Sequence, residues 1–442
     1  MKKTSNYLKV VRNQYEDYPY PTRNPEDEKH RLLRFNLCEL SAINHYCHQG
    51  VRNFDGYQVL VAGGGTGDGT IFMAQQLKPH GGHVVHLDIS TASIKVAKER
   101  AKIRGLDNIT WVHDSLLELP NLGLGPFDYI NCTGVLHHLA DPDAGFQALK
   151  SVLKPDGAVG IMVYAEYGRA GVYHMQSMLQ RLNQNERSMD SCVKNAKSVL
   201  SSMPPSNWFR HNEELLDDVR LGDTGIYDML LHSHDRAYTV PQCYEFVADA
   251  GLHFGGFSSP LDRALMTPEM QISNPILLEK LSTLSQPDQE AAMELFSGAI
   301  VRHCYYATAQ AEQRATLENL DNVPYLFSLS DDFGRNFAQG MRDKGAAPMT
   351  WQNRGYVVTV RPKPHSADLL EAVDGTRTLA QIFDVVREKV GNPALTDAEL
   401  LVDFTPVFEA FERMDFMLLR HRTVPPFPPV QETQPSNSSI TR

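Results

Sequence analysis

Three features are missing from this sequence, and each absence excludes a class of protein. No apolar run approaches the length of a membrane span, and no apolar segment follows Lys2-Lys3 as a secretory signal would require. No long basic run occurs and the formal net charge is −11, which disfavours a nucleic-acid partner because phosphate contacts need clustered Lys and Arg. The six cysteines are scattered, without a C-x-x-C pair. We therefore expect reduced cysteines in a cytoplasmic protein, with no disulfide framework, metal site or membrane segment.

A glycine-rich turn between two apolar runs is the feature around which the chain is organised. Residues 59–62 read V-L-V-A and enter G-G-G-T-G at 63–67, and a second apolar run at 84–87 ends in Asp88. Glycine is required where the backbone takes positive φ or passes close to a ligand. A strand, a glycine turn, a helix and a second strand ending in an acid predict the front edge of a nucleotide-binding βαβ unit.

The spacing of these glycines excludes two nucleotide-binding motifs. In a G-x-G-x-x-G motif that starts at Gly63 the third glycine would fall on Asp68, and one that starts at Gly65 would place it on Thr70. No G-K-[ST] follows, so the turn is not a P-loop. The glycines stand instead as G-x-G-x-G, which disfavours a NAD-dependent oxidoreductase.

Strand and helix patterns alternate after this turn, which predicts a parallel sheet with helices on both faces. The predicted strands are 59–62, 84–87, 109–113, 127–132, 159–164, 252–257 and 301–307. Ligands bind such sheets at the carboxyl ends of the strands. The glycine turn, Asp88, Asp114 and the segment 133–138 each follow a strand, so we expect all four at one rim of the sheet.

This arrangement resembles motif I and its partners in the class I S-adenosylmethionine (SAM)-dependent methyltransferases. The resemblance implies a Rossmann-like seven-stranded α/β sheet, with SAM as the cofactor. It implies that Asp88 accepts hydrogen bonds from both ribose hydroxyls, that Asp114 accepts the adenine amino group, and that 133–138 lies beside the sulfonium. The cofactor-binding residues predicted in this way are Gly63, Gly65, Thr66, Gly67, Asp88, Ile89, Asp114, Ser115 and Thr133.

Four longer motifs are similar to one bacterial methyltransferase family whose members are often fused to tetratricopeptide repeats. They are Q-Y-E-x-x-P-Y-P, A-G-x-G-T-G, G-V-L-H-H-L-x-D-P-x-A-G and D-x-L-x-H, and they lie within residues 14–260; no such repeats occur here. Val61 departs from the wider superfamily, which normally has an acid there to hold the methionine end of the cofactor. Its loss would weaken SAM binding unless Asp68 or the N-terminal segment compensates.

The N-terminal strap, residues 14–21, reads Q-Y-E-D-Y-P-Y-P and is predicted to be stiff, aromatic and extended. Two interpretations remain open: a strap packed on the domain surface, or a lid over the cofactor or substrate entrance. An amphipathic helix is predicted next, over 32–46, because Leu33, Leu37, Leu40 and Ile43 have near-helical spacing.

Methyl transfer from a sulfonium needs orientation, a dry pocket and, for a poor nucleophile, a base. The candidates for catalysis are His137, His232, Asp228 and Tyr20, with His138 and His234 as further histidines. Asp228 and His232 have i, i+4 spacing, so a helix face could present the carboxylate beside the histidine, although an ordinary buried polar pair fits equally well. For His137 and His138 the resemblance favours a structural role. No metal ligand set is predicted.

The pattern divides the chain into four parts. Residues 1–56 form an N-terminal strap and helix, and residues 57–310 form the methyltransferase domain with a helical insertion at about 168–240. Residues 340–422 resemble a small α+β winged-helix unit of the PqqD-like, peptide-recognising type, in which a leader peptide adds as an edge strand. The alternative is a dimerisation or packing module, which would make the protein a homodimer. Residues 423–442 are rich in Pro, Ser and Thr and are predicted to be disordered.

These observations predict a cytoplasmic SAM-dependent methyltransferase with two open acceptor classes. The insertion and the strap suggest an enclosed pocket, which favours a small-molecule metabolite. The first alternative is a peptide or protein acceptor recognised by the C-terminal unit. The second is a non-catalytic SAM-binding scaffold, which the valine at position 61 motivates.

Overall fold

A computed structural model describes residues 2–327, 329–345, 347–353 and 356–428. The strands of the model are β1 Gln58–Ala62, β2 His83–Asp88, β3 Ile109–His113, β4 Phe127–Thr133, β5 Leu153–Tyr164, β6 His253–Phe257, β7 Arg302–Thr308, β8 Asn322–Leu326, β9 Met349–Asn353, β10 Tyr356–Val360 and β11 Met417–His421. The α-helices are α1 Lys2–Asp17, α2 Leu40–Cys47, α3 Asp68–Leu77, α4 Thr91–Ile103, α5 Pro142–Ser151, α6 Ala170–Leu182, α7 Met189–Ser202, α8 Phe209–Asn212, α9 Gly222–Leu230, α10 Val240–Asp249, α11 Pro260–Met266, α12 Pro268–Gln271, α13 Pro275–Ser282, α14 Gln286–Ser297, α15 Asp331–Lys344, α16 Ser366–Ala372, α17 Leu379–Val390 and α18 Asp397–Arg413. Among these residues, no helix combines the length and the hydropathy that a membrane span requires.

The central sheet has seven strands in the order β3-β2-β1-β4-β5-β7-β6. β1 to β5 run parallel, and β7 lies antiparallel between β5 and β6. Apolar cores cover both faces of the sheet, so the inner parallel strands β1 and β4 are almost continuously buried. This is the predicted Rossmann-like seven-stranded methyltransferase sheet, and it brings the carboxyl ends of β1 to β4 to one rim.

The helix predicted over 32–46 is wrong in its first half, because α2 begins only at Leu40. Leu37 takes a left-handed conformation with φ 63°, and its backbone carbonyl accepts a 2.5 Å hydrogen bond from the buried Tyr129 hydroxyl. The spacing of the leucines suggested a helix there. In the structure an irregular segment buries Leu37 against the sheet instead.

Two further boundaries differ from the prediction. The strap is not extended throughout, since residues 14–17 form the last turn of α1 and the chain leaves the helix only before Pro19. β5 begins at Leu153, six residues before the predicted start at 159. An irregularity in the β4–β5 register, between Phe127 and Tyr129, accommodates these extra residues.

The insertion is helical, as predicted, and comprises α6 to α9 with short 3-10 segments that include Asp217–Leu221. Its helices share an apolar core of their own. An isolated bridge between Ala165 and Tyr238 joins the end of the insertion to the end of β5. The insertion therefore begins and ends at the carboxyl rim, where a bound ligand would lie.

The C-terminal unit combines helices and strands, as predicted, and β10, α16, α17, α18 and β11 share one apolar core. β8 pairs antiparallel with β11, so the hydrogen-bonded unit extends back to Asn322, before the predicted start at 340. His45 of α2 receives the Leu419 N–H at 3.1 Å and donates to Glu412 at 2.7 Å, which ties this unit to the main domain. Of the tail predicted to be disordered, residues 429–442 lie outside the described residues.

Candidate active site

The turn after β1 has the backbone conformation that its glycines allow. Gly63, Gly65 and Gly67 have φ values of 71°, 52° and 101°. A Cβ atom on Gly63 would lie 2.3 Å from a methyl group of Val135, and one on Gly65 would lie 2.8 Å from the backbone oxygen of Tyr20. Glycine is therefore required here both for conformation and for close approach.

Asp88 ends β2 and holds this turn in place. One carboxylate oxygen accepts the Gly65 N–H at 2.7 Å, and the other accepts the Ser90 N–H at 2.8 Å. The residue is only 8% exposed, and burial raises the pKa of its carboxyl despite these donors. Each oxygen keeps a lone pair, so the carboxylate can still accept two hydroxyl groups.

A cavity of about 380 Å³ follows the carboxyl rim of the sheet. We call its part beside the glycine turn the cofactor half. Seven of the nine predicted cofactor residues line it: Gly63, Gly65, Asp88, Ile89, Asp114, Ser115 and Thr133. The other two lie behind the wall, since Thr66 donates its hydroxyl to the Pro21 carbonyl at 2.7 Å and Gly67 packs against Ala97.

Val61 also lines the cofactor half. It has a polar neighbour in the wall that no sequence motif indicated. Asn131 is the register partner of Val61 on β4 and also lines the cavity. The buried Asn131 Nδ2 has no hydrogen-bond partner in the part of the chain that the structure describes. An unpaired amide donor of this kind suits a ligand carboxylate, so the wall fits the methionine end of SAM even without an acid at 61.

Arg23 lies on the cavity wall just beyond the strap and is a second donor that sequence reasoning missed. Its guanidinium donates to Asp68 at 2.6 and 2.9 Å, and Arg100 donates to the same carboxylate at 2.6 Å. Burial alone would raise the pKa of Asp68, but the two guanidinium groups outweigh it and lower the pKa. Asp68 is thus committed to arginines, and any compensation for Val61 comes through the arginine that it orients.

The strap lies across the cavity, with Tyr15, Tyr20 and Pro21 in its wall. On the cofactor side, the Glu16 carboxylate accepts the Thr91 N–H at 2.7 Å and the Ala92 N–H at 3.1 Å, so it caps α4 from another segment. On the other side, the Tyr20 hydroxyl donates to Asp218 of the insertion. This placement is the one that a lid requires.

We call the part of the cavity beyond the glycine turn, between the strap and the insertion, the acceptor half. Asp228 of α9 lines it and is 3% exposed. Tyr15 donates to Oδ1 at 3.0 Å and Tyr164 donates to Oδ2 at 3.2 Å. Burial and then the nearby charge of Asp218 raise the pKa of Asp228 to about 7, so its carboxyl can take up or release a proton near neutral pH.

The histidines differ in position. His138 lines the cavity, donates from Nδ1 to the His234 carbonyl at 2.9 Å, and has its pKa lowered to about 4 by burial. His137 and His232 are not part of the cavity wall. His232 accepts the His234 N–H at Nδ1 (3.1 Å), which leaves the hydrogen on Nε2. Of the four predicted catalytic residues, the structure brings Asp228 and Tyr20 to the cavity.

Arg169 supplies the buried positive charge of the acceptor half. Its guanidinium lies 3.6 Å over the ring of Tyr164, 3.9 Å from Asp218 and 4.0 Å from Asp235. Burial would lower its pKa, but the surrounding tyrosines and carboxylates keep the pKa above its ordinary value. No motif marked this residue, because its role depends on segments distant in sequence.

Comparison with known proteins agrees with this geometry. A family model described as a methyltransferase domain matches residues 53–231. The tRNA 5-carboxymethoxyuridine methyltransferase of Escherichia coli K12 is 36% identical over 112 residues, which are 25% of this chain and 41% of that enzyme. A ubiquinone/menaquinone biosynthesis C-methyltransferase of Idiomarina loihiensis is 31% identical over 165 residues, or 36% of this chain and 64% of that enzyme.

Fold similarity extends over more of the chain. The structure of PKMT2 from Rickettsia typhi in complex with AdoHcy (S-adenosylhomocysteine) aligns with a TM-score of 0.56, covering 87% of this chain and 75% of that one at 15% identity. That identity supports the shared fold alone.

The sheet, the glycine turn and the matched domain define the class: this protein is a SAM-dependent methyltransferase with a Rossmann-like fold. An uncharacterised protein of Synechococcus sp. is 33% identical over 299 residues, which are 66% of this chain and 69% of that protein. The chain belongs to the same family as this cyanobacterial protein.

Proposed function

We propose that this enzyme transfers a methyl group from SAM to a small-molecule acceptor bound in the acceptor half of the cavity. The observation that carries the proposal is the burial of a polar wall made by the segment after β4, the end of β5 and the insertion. His138, Tyr164, Arg169 and Asp228 line that wall and are each less than 9% exposed. A site this enclosed suits a ligand that can be surrounded on several sides.

The cofactor half supports an orientation for SAM. Asp88 would accept the ribose hydroxyls, Asp114 the adenine amino group, and Arg23 with Asn131 would hold the methionine carboxylate. The sulfonium would then face Thr133 and the acceptor half. When bound, SAM supplies the methyl group and leaves as S-adenosylhomocysteine. The protein contributes orientation and exclusion of water, which are the main requirements of an in-line displacement.

Three acceptor classes can be compared directly. Purified enzyme and SAM would be incubated with pools of small metabolites, with peptides, and with tRNA, and S-adenosylhomocysteine release would be measured. We expect turnover with a metabolite pool, dependent on Asp88. Turnover confined to peptides or tRNA would overturn the small-molecule proposal. SAM binding without turnover in any pool would favour the scaffold alternative.

A peptide or protein acceptor is the second candidate, and the C-terminal unit supports it. β8 and β11 form a sheet of two strands. The second edge of β11 is occupied, since the Leu419 N–H donates to His45 and the His421 N–H donates to the Gly50 carbonyl. The second edge of β8 pairs with no strand among the described residues, so an extended peptide could add there. We retain the winged-helix-like assignment of this unit, its recognition of a peptide and a role in dimerisation as proposals. All six cysteines are free, which is compatible with the cytoplasmic location that we propose.

A further inference from the structure

Asp228 is a buried carboxylate that forms no ion pair among the described residues, although the charge of Arg169 acts on it from a greater distance. No Lys, Arg or His nitrogen among the described residues forms an ion pair with it, whereas Asp68 has Arg23 and Arg100, and Asp218 has Arg169 at 3.9 Å. Buried charges in proteins are normally paired. A charge left unpaired in a cavity wall points to a partner that arrives with the ligand.

The hydrogen-bond directions in this wall specify the kind of partner. Tyr15 and Tyr164 donate their hydroxyl hydrogens to Asp228, and Tyr20 donates its own to Asp218. His138 donates its Nδ1 hydrogen to a backbone carbonyl. What these groups can still offer is lone pairs on oxygen and nitrogen. Around Asp228, a ligand group that brings several N–H donors and no acceptor complements these lone pairs, and an ammonium group has that property. Arg169 is the donor of the same wall, since its buried Nε and Nη2 have no hydrogen-bond partner among the described residues and could bind an acceptor elsewhere on the ligand.

We propose that the methyl acceptor is a primary or secondary amine, bound as its ammonium ion against Asp228 in the acceptor half. The inference rests on the proposed methyltransferase function of this cavity and specifies its substrate class. A small-molecule amine and a lysine side chain share this chemistry.

The step balances as follows. Asp228 removes one proton from the ammonium, which frees the nitrogen lone pair. The new N–C bond forms as the C–S bond of SAM breaks, and sulfur keeps that electron pair. The products are the methylated ammonium and S-adenosylhomocysteine, and the protonated Asp228 later releases its proton to water. Tyr15 and Tyr164 orient the carboxylate in this step, and the raised pKa of Asp228 matches the transfer near neutral pH.

A divalent metal is the competing explanation, since nitrogen or oxygen atoms of His138, Asp228 and His232 lie within 4.8 Å of one another. The hydrogen bond from His234 N–H to His232 Nδ1 places the remaining hydrogen of this ring on Nε2. His232 therefore has no free lone pair to offer, and the cluster lacks a third ligand. We favour the ammonium ion on this ground.

The first test measures binding without turnover. Butylammonium chloride, butanol and sodium butyrate would each be added to the full-length protein saturated with S-adenosylhomocysteine, which has no methyl group to transfer, and thermal stability would be recorded. We expect the melting temperature to rise with butylammonium alone. D228N should lose this rise, while D223N should keep it, because Asp223 is an exposed carboxylate on the same helix. SAM affinity measured by calorimetry should stay within about threefold in both variants, which shows that the cofactor half is intact.

Three outcomes of this test would overturn the inference: stabilisation by butanol or butyrate in place of butylammonium, an equal effect in D228N, or no effect of butylammonium at all. ZnCl₂ and MnCl₂ form a further arm. Tight metal binding that D228N abolishes would assign this carboxylate to a metal and would also overturn it.

The second test separates this inference from the proposed function. Small amines, phenols, carboxylic acids and lysine-containing peptides would be supplied with methyl-labelled SAM. Turnover of small amines supports both proposals. Turnover of phenols or carboxylic acids alone would overturn the amine inference and leave the small-molecule function standing. Turnover of lysine-containing peptides alone would overturn the small-molecule function and leave the amine inference standing.

Discussion

The two halves of the cavity are built in different ways. In the cofactor half, most of the wall comes from short segments that directly follow β1 to β4, and its key contacts are backbone N–H groups held by Asp88. In the acceptor half, the wall comes from the strap, β5 and the insertion, and its contacts join side chains far apart in sequence, such as Tyr15 and Asp228.

This difference has a chemical counterpart. The carboxylate of Asp68, at the cofactor side, is neutralised by two arginines, and the pKa of its carboxyl is lowered. The carboxyl of Asp228, at the acceptor side, has its pKa raised to about 7, first by burial and then by Asp218. The Asp68 carboxylate is therefore neutralised within the protein before any ligand binds, and the Asp228 carboxyl is not. Variants that affect one half and spare the other can test this contrast.

The largest expected effect is that of D88A on SAM affinity. Removing an acceptor of two hydroxyl hydrogen bonds, each worth about 1.5–3 kcal/mol to a charged group, should weaken SAM by a hundredfold or more. Calorimetric titration with SAM and S-adenosylhomocysteine measures it. E118A, which removes an exposed acid near the cavity, is the control and should bind normally. A folded D88A protein that binds SAM within threefold of wild type would refute the ribose contact.

The next effect concerns stability in the acceptor half. Because the folded-state pKa of Asp228 is about 7, above the usual value near 4, the folded protein retains this proton where the unfolded chain has lost it. Folding stability is therefore lost as the pH rises from about 4 to about 7. D228N has no carboxyl at this position and does not lose this stability. Between pH 5 and pH 8, the free energy of unfolding of wild type should therefore fall by about 2–3 kcal/mol relative to that of D228N.

Urea denaturation at several pH values would measure this change in D228N. D223N, which changes an exposed carboxylate on the same helix, would be measured beside it as the matched variant. If the difference between D228N and wild type did not change with pH, the pKa of Asp228 would be the same in the folded and unfolded states. The contrast between the two halves would then fail.

A smaller effect should separate two glycines of the cofactor half. Gly63 and Gly134 both have positive φ, so alanine strains the backbone by about 1–2 kcal/mol at either position. The new methyl group at 63 would also lie 2.3 Å from Val135, whereas at 134 the nearest atom is 3.5 Å away. Overpacking should make G63A about 2 kcal/mol less stable than G134A in thermal unfolding. Equal stability would show that the turn can shift to make room.

The smallest expected effect is that of R23Q, about tenfold weaker binding of SAM, since one charge-assisted contact to the methionine carboxylate would be lost. Decarboxylated SAM lacks this group and should bind wild type and R23Q equally. R31Q, on the same segment but outside the cavity wall, should bind SAM normally. If R23Q weakened both ligands equally, Arg23 would be acting through the strap and not through the carboxylate.

Much of the cofactor half could be predicted because its residues are consecutive. The glycine spacing, the acid that ends β2 and the alternation of strands and helices are local patterns, and the parallel sheet then brings strand ends together. Arg23 and Asn131 escaped prediction because neither belongs to a motif. Each matters only through its position beside Val61, on the strap side and on the neighbouring strand.

The acceptor half was less predictable, for a physical reason. The pair of Asp228 and His232 was selected by helical spacing, yet α9 ends at Leu230 and the imidazole of His232 is engaged by the backbone of His234. Tyr15 belongs to the predicted strap, but no local pattern joined it to Asp228. Tyr164 and Arg169 carried no signal, since a tyrosine or an arginine in isolation is ordinary.

By itself, the sequence determined the sheet, the class of cofactor and the rim at which the cofactor would bind, because period and spacing act over a few residues. Tertiary structure alone decided which side chains face the acceptor, because burial and charge depend on groups that only folding brings together. The missing ion pair of Asp228 is such a property: among the described residues Arg169 lines the same cavity without pairing with this carboxylate, and no stretch of sequence can show that.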